Sequence, residues 1–235
     1  MTDTEHPFPV HHSIAALPPD SRIRQIYPED FFPNGGYVQL PYGRTRYWLL
    51  GPEDGVKVVL IHGLSTPGVT WKHFGPYLAE RGFRVLVYDL YGKGYSDAPK
   101  TAYHANIFWE HAHIAGFSMG GGITAAFAAT LPHLVSGKIV LMASAGVHES
   151  RLQPLQVSSP IPQYQELIKL QHELLPGYAE GGTLDPLVAY ADALEINKRI
   201  PHAQLITIEG AGHDFPIHEK YWEVAVKNIA AFLST

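Results

Sequence analysis

The chain has 235 residues, 46% of them hydrophobic and 17% charged, with a formal net charge of −5 and no long basic run. That is enough apolar material for one sizeable core, and it offers nothing resembling a nucleic-acid-binding or polybasic membrane surface, so small neutral or weakly polar partners fit best. The lack of cysteine excludes disulfides, thiolate zinc sites and a cysteine nucleophile.

The amino-terminal residues lack the positive start and the apolar stretch of about 7–15 residues of a signal peptide. No run reaches the roughly 18 apolar residues of a membrane span. A soluble, cytoplasmic protein without an integral membrane segment is expected. Residues 1–35, rich in proline, histidine and polar residues, read as an N-terminal arm lying over the domain or partly disordered, and no chemistry is assigned to them. Residues 36–235 read as a single domain. Fourteen histidines raise the question of a metal. The densest groups, His11-His12 and His111-Ala112-His113, do not continue into a three-ligand pattern, so neither a metal nor another cofactor is expected.

From Gly36 onward the pattern is regular. Tyr37 to Leu40 and Arg46 to Leu50 predict two strands around a turn at Pro41-Tyr42-Gly43. Val56 to Ile61 and Phe83 to Tyr88 are nearly continuous apolar runs, the signature of strands covered on both faces. Trp71, Phe74, Tyr77 and Leu78 recur between them at helical spacing. The alternation resumes with strands over Ala112 to Ala115, Lys138 to Met142 and Gln204 to Ile208. Helices are predicted over Met119 to Leu131, Val188 to Ile200 and Glu219 to Leu233. This order predicts an α/β fold with a mostly parallel sheet and helices on both faces. Residues 146–180 break the rhythm and read either as a short lid over the carboxyl edge of the sheet or as a surface helix packing on the core.

Gly116-Phe117-Ser118-Met119-Gly120 closes one predicted strand and opens a helix. In that context the glycines permit a sharp turn that lifts a serine hydroxyl above the sheet, although Ser118 as an ordinary helix cap is the alternative. A serine becomes nucleophilic only beside a base, and Gly210-Ala211-Gly212-His213, just after the strand Gln204 to Ile208, supplies His213. His202 and His218 are less favourably placed. The imidazole needs a carboxylate between the two, and Asp185 in Gly182-Thr183-Leu184-Asp185-Pro186 is the best candidate; its alternative is to cap the next helix. Glu209 and Asp214 are too close to His213 in sequence. Main-chain N–H groups for a developing oxyanion are expected from Met119 and from Leu64 in His62-Gly63-Leu64-Ser65, with Ser65 as the second choice.

Taken together, His62-Gly63, Asp89-Leu90-Tyr91-Gly92-Lys93-Gly94-Tyr95-Ser96, Gly116 to Gly121, Gly182 to Pro186 and Gly210 to His213 resemble the serine-hydrolase, esterase- and lipase-like branch of the α/β-hydrolase fold family, over about residues 36–235. The resemblance implies a cofactor-free serine hydrolase acting on a small-molecule carboxylic ester through Ser118, His213 and Asp185. A perhydrolase with the same residues is one alternative, and a non-catalytic protein of this fold, as a binding module or truncated isoform, is another. Epoxide hydrolases and haloalkane dehalogenases of the family carry aspartate where Ser118 stands, and are disfavoured. Two departures suggest a shortened chain. Only 22 positions separate Ser96 from Ser118, leaving room for no more than a stub helix at 104–111 before the nucleophile strand. The residues before Gly182 also lack the pattern of a buried strand, so the strand leading to the acid loop is expected to be missing.

Overall fold

The computed structural model describes residues 13–64, 66–99, 112–144, 177–182, 185, 188, 190–199 and 203–235. Eight strands form one sheet: β1 (Gly35–Leu40), β2 (Gly43–Leu50), β3 (Val56–Ile61), β4 (Phe83–Tyr88), β5 (Ala112–Phe117), β6 (Val135–Met142), β7 (Gly177–Gly182) and β8 (Gln204–Ile208). Their spatial order is β1-β2-β4-β3-β5-β6-β7-β8. β2 runs antiparallel to both β1 and β4, and every other pairing is parallel.

Side chains along a strand alternate between faces, and here the alternation sorts the core into two clusters. Val58, Leu60, Val85, Val87, Phe117, Val140 and Met142 lie on one side, against Phe74 and Leu78 of the helix α2 (Phe74–Ala79) and Val226 and Ile229 of the carboxy-terminal helix. Val59, Ile61, Leu86, Ile114, Ile139 and Leu141 lie on the other, against Phe127 and Ala128 of α3 (Met119–Thr130) and Ile196 of α4 (Tyr190–Arg199). The carboxy-terminal helix is α5 (Trp222–Ser234). Burial on both faces accounts for the continuous apolar runs of the central strands. Among the described residues no helix is long and apolar enough to cross a membrane.

The helical stripe from Trp71 to Leu78 is split into a 3-10 turn, Gly68–Trp71, and α2. Pro76 is the reason: in a helix running through from Trp71 its missing N–H would break the ladder, whereas within the first turn of α2 no partner is required. Before the sheet, the helix α1 (Arg22–Ile26) leads into Tyr27 and Phe32, which are buried with Trp48 in the first cluster.

The expectation of a missing strand before the acid loop is corrected by β7. Its register runs from Ile139 opposite Gly177 to Met142 opposite Glu180 on one edge, and from Tyr178 opposite Gln204 to Gly182 opposite Ile208 on the other. A strand with both edges paired is held by main-chain hydrogen bonds that need no β-branched side chain, so Gly-Tyr-Ala-Glu-Gly-Gly forms one without advertising it. Strand β8 therefore keeps its neighbour, and the argument that the chain is shortened at this point falls. An insertion at 146–180 must end before Gly177; its remainder, and the stub helix expected at 104–111, lie outside the described residues.

Candidate functional site

Three side chains from three loops meet at the carboxyl ends of the parallel strands. Ser118 sits between β5 and α3 with φ 55° and ψ −120°, a conformation that costs a non-glycine residue of the order of 1–3 kcal/mol and is held only by its surroundings. Its amide donates to the Met142 carbonyl at 2.9 Å, and its carbonyl accepts the Gly121 amide at 3.0 Å. The close fit is made by absent side chains. A Cβ at Gly116 would lie 2.1 Å from the Gly120 carbonyl oxygen, one at Gly120 2.2 Å from that of Ile61, and one at Gly63 3.1 Å from the Ser118 Cβ. Ser118 occupies the N-cap position of α3 yet makes no side-chain cap bond. Its Oγ is instead 3.0 Å from His213 Nε2, which decides against the ordinary-cap alternative.

His213 Nδ1 is 2.7 Å from Asp185 Oδ2. A carboxylate only accepts here, so Nδ1 carries the proton and Nε2 presents its lone pair to the serine hydroxyl, which donates. The ring rests on Phe117, with centroids 4.8 Å apart, and Phe117 in turn packs edge-on to the buried Phe215. Asp185 makes two contacts: Oδ2 receives the imidazole N–H, while Oδ1 caps the Val188 amide at 2.9 Å. The second bond fixes the carboxylate, whose side chain is 1% exposed. His218 instead accepts from the Lys220 amide and packs on Tyr221; His202 lies outside the described residues.

Met119 is the first residue of α3, so its N–H has no carbonyl partner within the helix and lies at the positive end of its dipole. Leu64 follows Gly63, which packs close to the Ser118 Cβ, and Leu64 is 58% exposed. Ser65 is outside the described residues. A proton-accepting imidazole beside a strained hydroxyl, with main-chain donors at hand, is suited to acyl transfer.

The fold has counterparts among known proteins. The profile of the α/β-hydrolase fold matches residues 57–160. A crystal structure of a carboxylesterase from Bacillus subtilis superposes with a TM-score of 0.69 at 18% identity, over 86% of this chain and 93% of the other. This chain has the α/β-hydrolase fold. Among its relatives by sequence, an uncharacterized protein of Mycobacterium tuberculosis is 30% identical over 175 residues, 69% of this α/β-hydrolase-fold chain and 46% of the other. A 2-hydroxymuconate semialdehyde hydrolase of a Pseudomonas strain is 38% identical over 110 residues, 40% of this chain and 38% of the other. The chain thus spans less than half the length of these curated relatives.

Two buried groups beside the site were not singled out from the sequence as working residues. His62 is fully buried, and its Nε2 accepts the Leu90 amide at 2.9 Å while Nδ1 donates to the Gly63 carbonyl at 2.7 Å. Asp89, also fully buried, accepts from the Tyr27 hydroxyl, the Gly68 amide and the Tyr95 amide. Burial lowers the His62 pKa from 6.5 to about 4, and burial raises that of Asp89 from 3.8 to about 6 against the pull of its donors.

The two act oppositely on stability. Unfolded His62 takes up a proton near 6.5 but the folded ring only near 4, so its stabilisation is full above 6.5 and lost as the pH falls to 4, by up to about 3 kcal/mol. Folded Asp89 binds its proton near 6 and unfolded Asp89 at 3.8, so its contribution is full below 3.8 and lost as the pH rises through 6. In the parent the two offset each other. Asp89→Asn removes the second, and its unfolding free energy, measured by denaturant titration, is expected to fall more steeply than the parent's between pH 6.5 and 4; parallel profiles would contradict this assignment.

Proposed function

We propose that the protein is a serine hydrolase that cleaves a carboxylic ester through an acyl-enzyme. The reading rests chiefly on the continuous hydrogen-bonded chain from Asp185 through His213 to the strained Ser118. In the proposed reaction the Ser118 Oγ attacks the ester carbonyl as its proton passes to His213 Nε2, and the electron pair of the carbonyl moves onto oxygen. The Met119 and Leu64 amides donate to that oxyanion, which is where such a site lowers the barrier most. Asp185 stabilises the imidazolium, which returns the proton to the departing alcohol. Water then repeats the sequence on the acyl-serine and releases the acid. The exposed Leu64, next in sequence to the Gly63 that packs on Ser118, suits a small or lipophilic substrate. The likeness in fold to a carboxylesterase supports the choice of ester, and the strand β7 removes one motive for an inactive truncated form.

An activated aryl ester tests the reading. Mixing it with the protein is expected to give a burst of phenol equal to the enzyme concentration, followed by slower turnover, with Ser118→Ala giving neither. Turnover by Ser118→Ala at the parent rate would remove Ser118 from the chemistry.

A further inference from the structure

The loop that begins at His62 and reaches Gly68 is gripped at both ends by two consecutive residues after β4. The Leu90 amide donates to His62 Nε2 at 2.9 Å, and the Gly68 amide donates to Asp89 Oδ1 at 2.7 Å. Between them, His62 Nδ1 holds the Gly63 carbonyl at 2.7 Å. The peptide that follows is trans, so the Leu64 N–H points opposite to the carbonyl that His62 holds. The orientation of that amide is thus set by the clamp.

Asp89 has a further support from far along the chain. The Tyr27 hydroxyl donates at 2.9 Å to Oδ1, the same oxygen that takes the Gly68 amide, while the Tyr95 amide donates at 2.9 Å to Oδ2. The Tyr95 hydroxyl returns a bond of 2.6 Å to the Tyr27 carbonyl, and the Ser96 hydroxyl donates to the Asp89 carbonyl at 2.6 Å. There is no slack: a Cβ at Gly94 would lie 2.0 Å from Asp89 Oδ2. Tyr27, Asp89, Tyr95 and Ser96 are all buried, so a lost donor leaves the carboxylate to find another by moving.

We infer that Tyr27, in the N-terminal arm, is a positioning residue for the reaction: it completes the donor set of Asp89, which with Leu90 clamps the loop carrying the Leu64 amide at the oxyanion position. The inference rests on the proposed role of that amide.

Tyr27→Phe removes the hydroxyl and keeps the ring. Exchange of the Gly68 and Leu90 amides, followed by NMR, is expected to quicken about tenfold, and kcat on an activated ester to fall about tenfold with KM within about twofold, a fraction of the loss from deleting an oxyanion donor. Ile229→Val, in the core of α5, serves as a control that lowers stability away from the clamp and is expected to move neither readout. Unchanged exchange in Tyr27→Phe, unchanged kcat, or the same changes in Ile229→Val would overturn the inference. Faster exchange in Tyr27→Phe, beside a parent protein that hydrolyses no ester, would leave the clamp standing and remove the hydrolase reading instead.

Discussion

Asp185→Asn is expected to lower kcat for ester hydrolysis by about ten-thousandfold while leaving the fold intact. The asparagine keeps an oxygen for the Val188 amide, so the local cap survives. Facing His213 Nδ1 it has an NH2 group in place of an acceptor, which favours the tautomer with the proton on Nε2. That nitrogen then has no lone pair for the Ser118 hydroxyl 3.0 Å away. Steady-state kinetics on an activated ester, with circular dichroism as the check on folding, measure the effect. Asp214→Asn, the neighbouring carboxylate that does not reach the imidazole, is expected to stay within about threefold of the parent. An Asp185→Asn enzyme within about tenfold of the parent would mean that another group orients the imidazole.

The second large effect concerns folding. Gly116→Ala places a methyl group 2.1 Å from the Gly120 carbonyl oxygen and 2.3 Å from the Thr124 Oγ1, so β5 and α3 cannot keep their spacing. A loss of about 3 kcal/mol or more is expected, seen as a fall of about 10 °C in Tm or as insoluble protein. Gly82→Ala, where nothing lies within 4 Å of the added carbon, is expected to cost only about 1 kcal/mol of strain at its φ of 84°. Equal losses at the two glycines would contradict the packing argument. The glycines flanking Ser118 are on this account spacers first; they let a strand and a helix approach closely enough for the hydroxyl to stand at the edge of the sheet.

How far the sequence foretells this arrangement depends on how each part is held. Strands β3, β4 and β8 match their predicted limits; in the first two, Val58 to Ile61 and Val85 to Tyr88 are buried on both faces and carry that burial as unbroken hydrophobicity. β7 was missed because its place between β6 and β8 is fixed by main-chain pairing, which leaves no compositional trace in Gly-Tyr-Ala-Glu-Gly-Gly. Ser118, Asp185 and His213 were legible as candidates since each stands on a glycine-marked turn after a strand, and the structure brings their side chains into contact. Asp89 lay within a motif read only as a family resemblance. Tyr27 gave no signal at all: a bond between residues 62 positions apart, from a segment without periodicity, appears only once the chain is folded.

The central claim is that Ser118 is activated by His213. A fluorophosphonate, which phosphorylates activated serines, tests it most directly when the adduct is read by intact mass and peptide mapping. The account predicts a single adduct on Ser118 in the parent protein and none in Ser118→Ala. A folded, monodisperse parent that remains unlabelled, or one labelled at another residue, would contradict it.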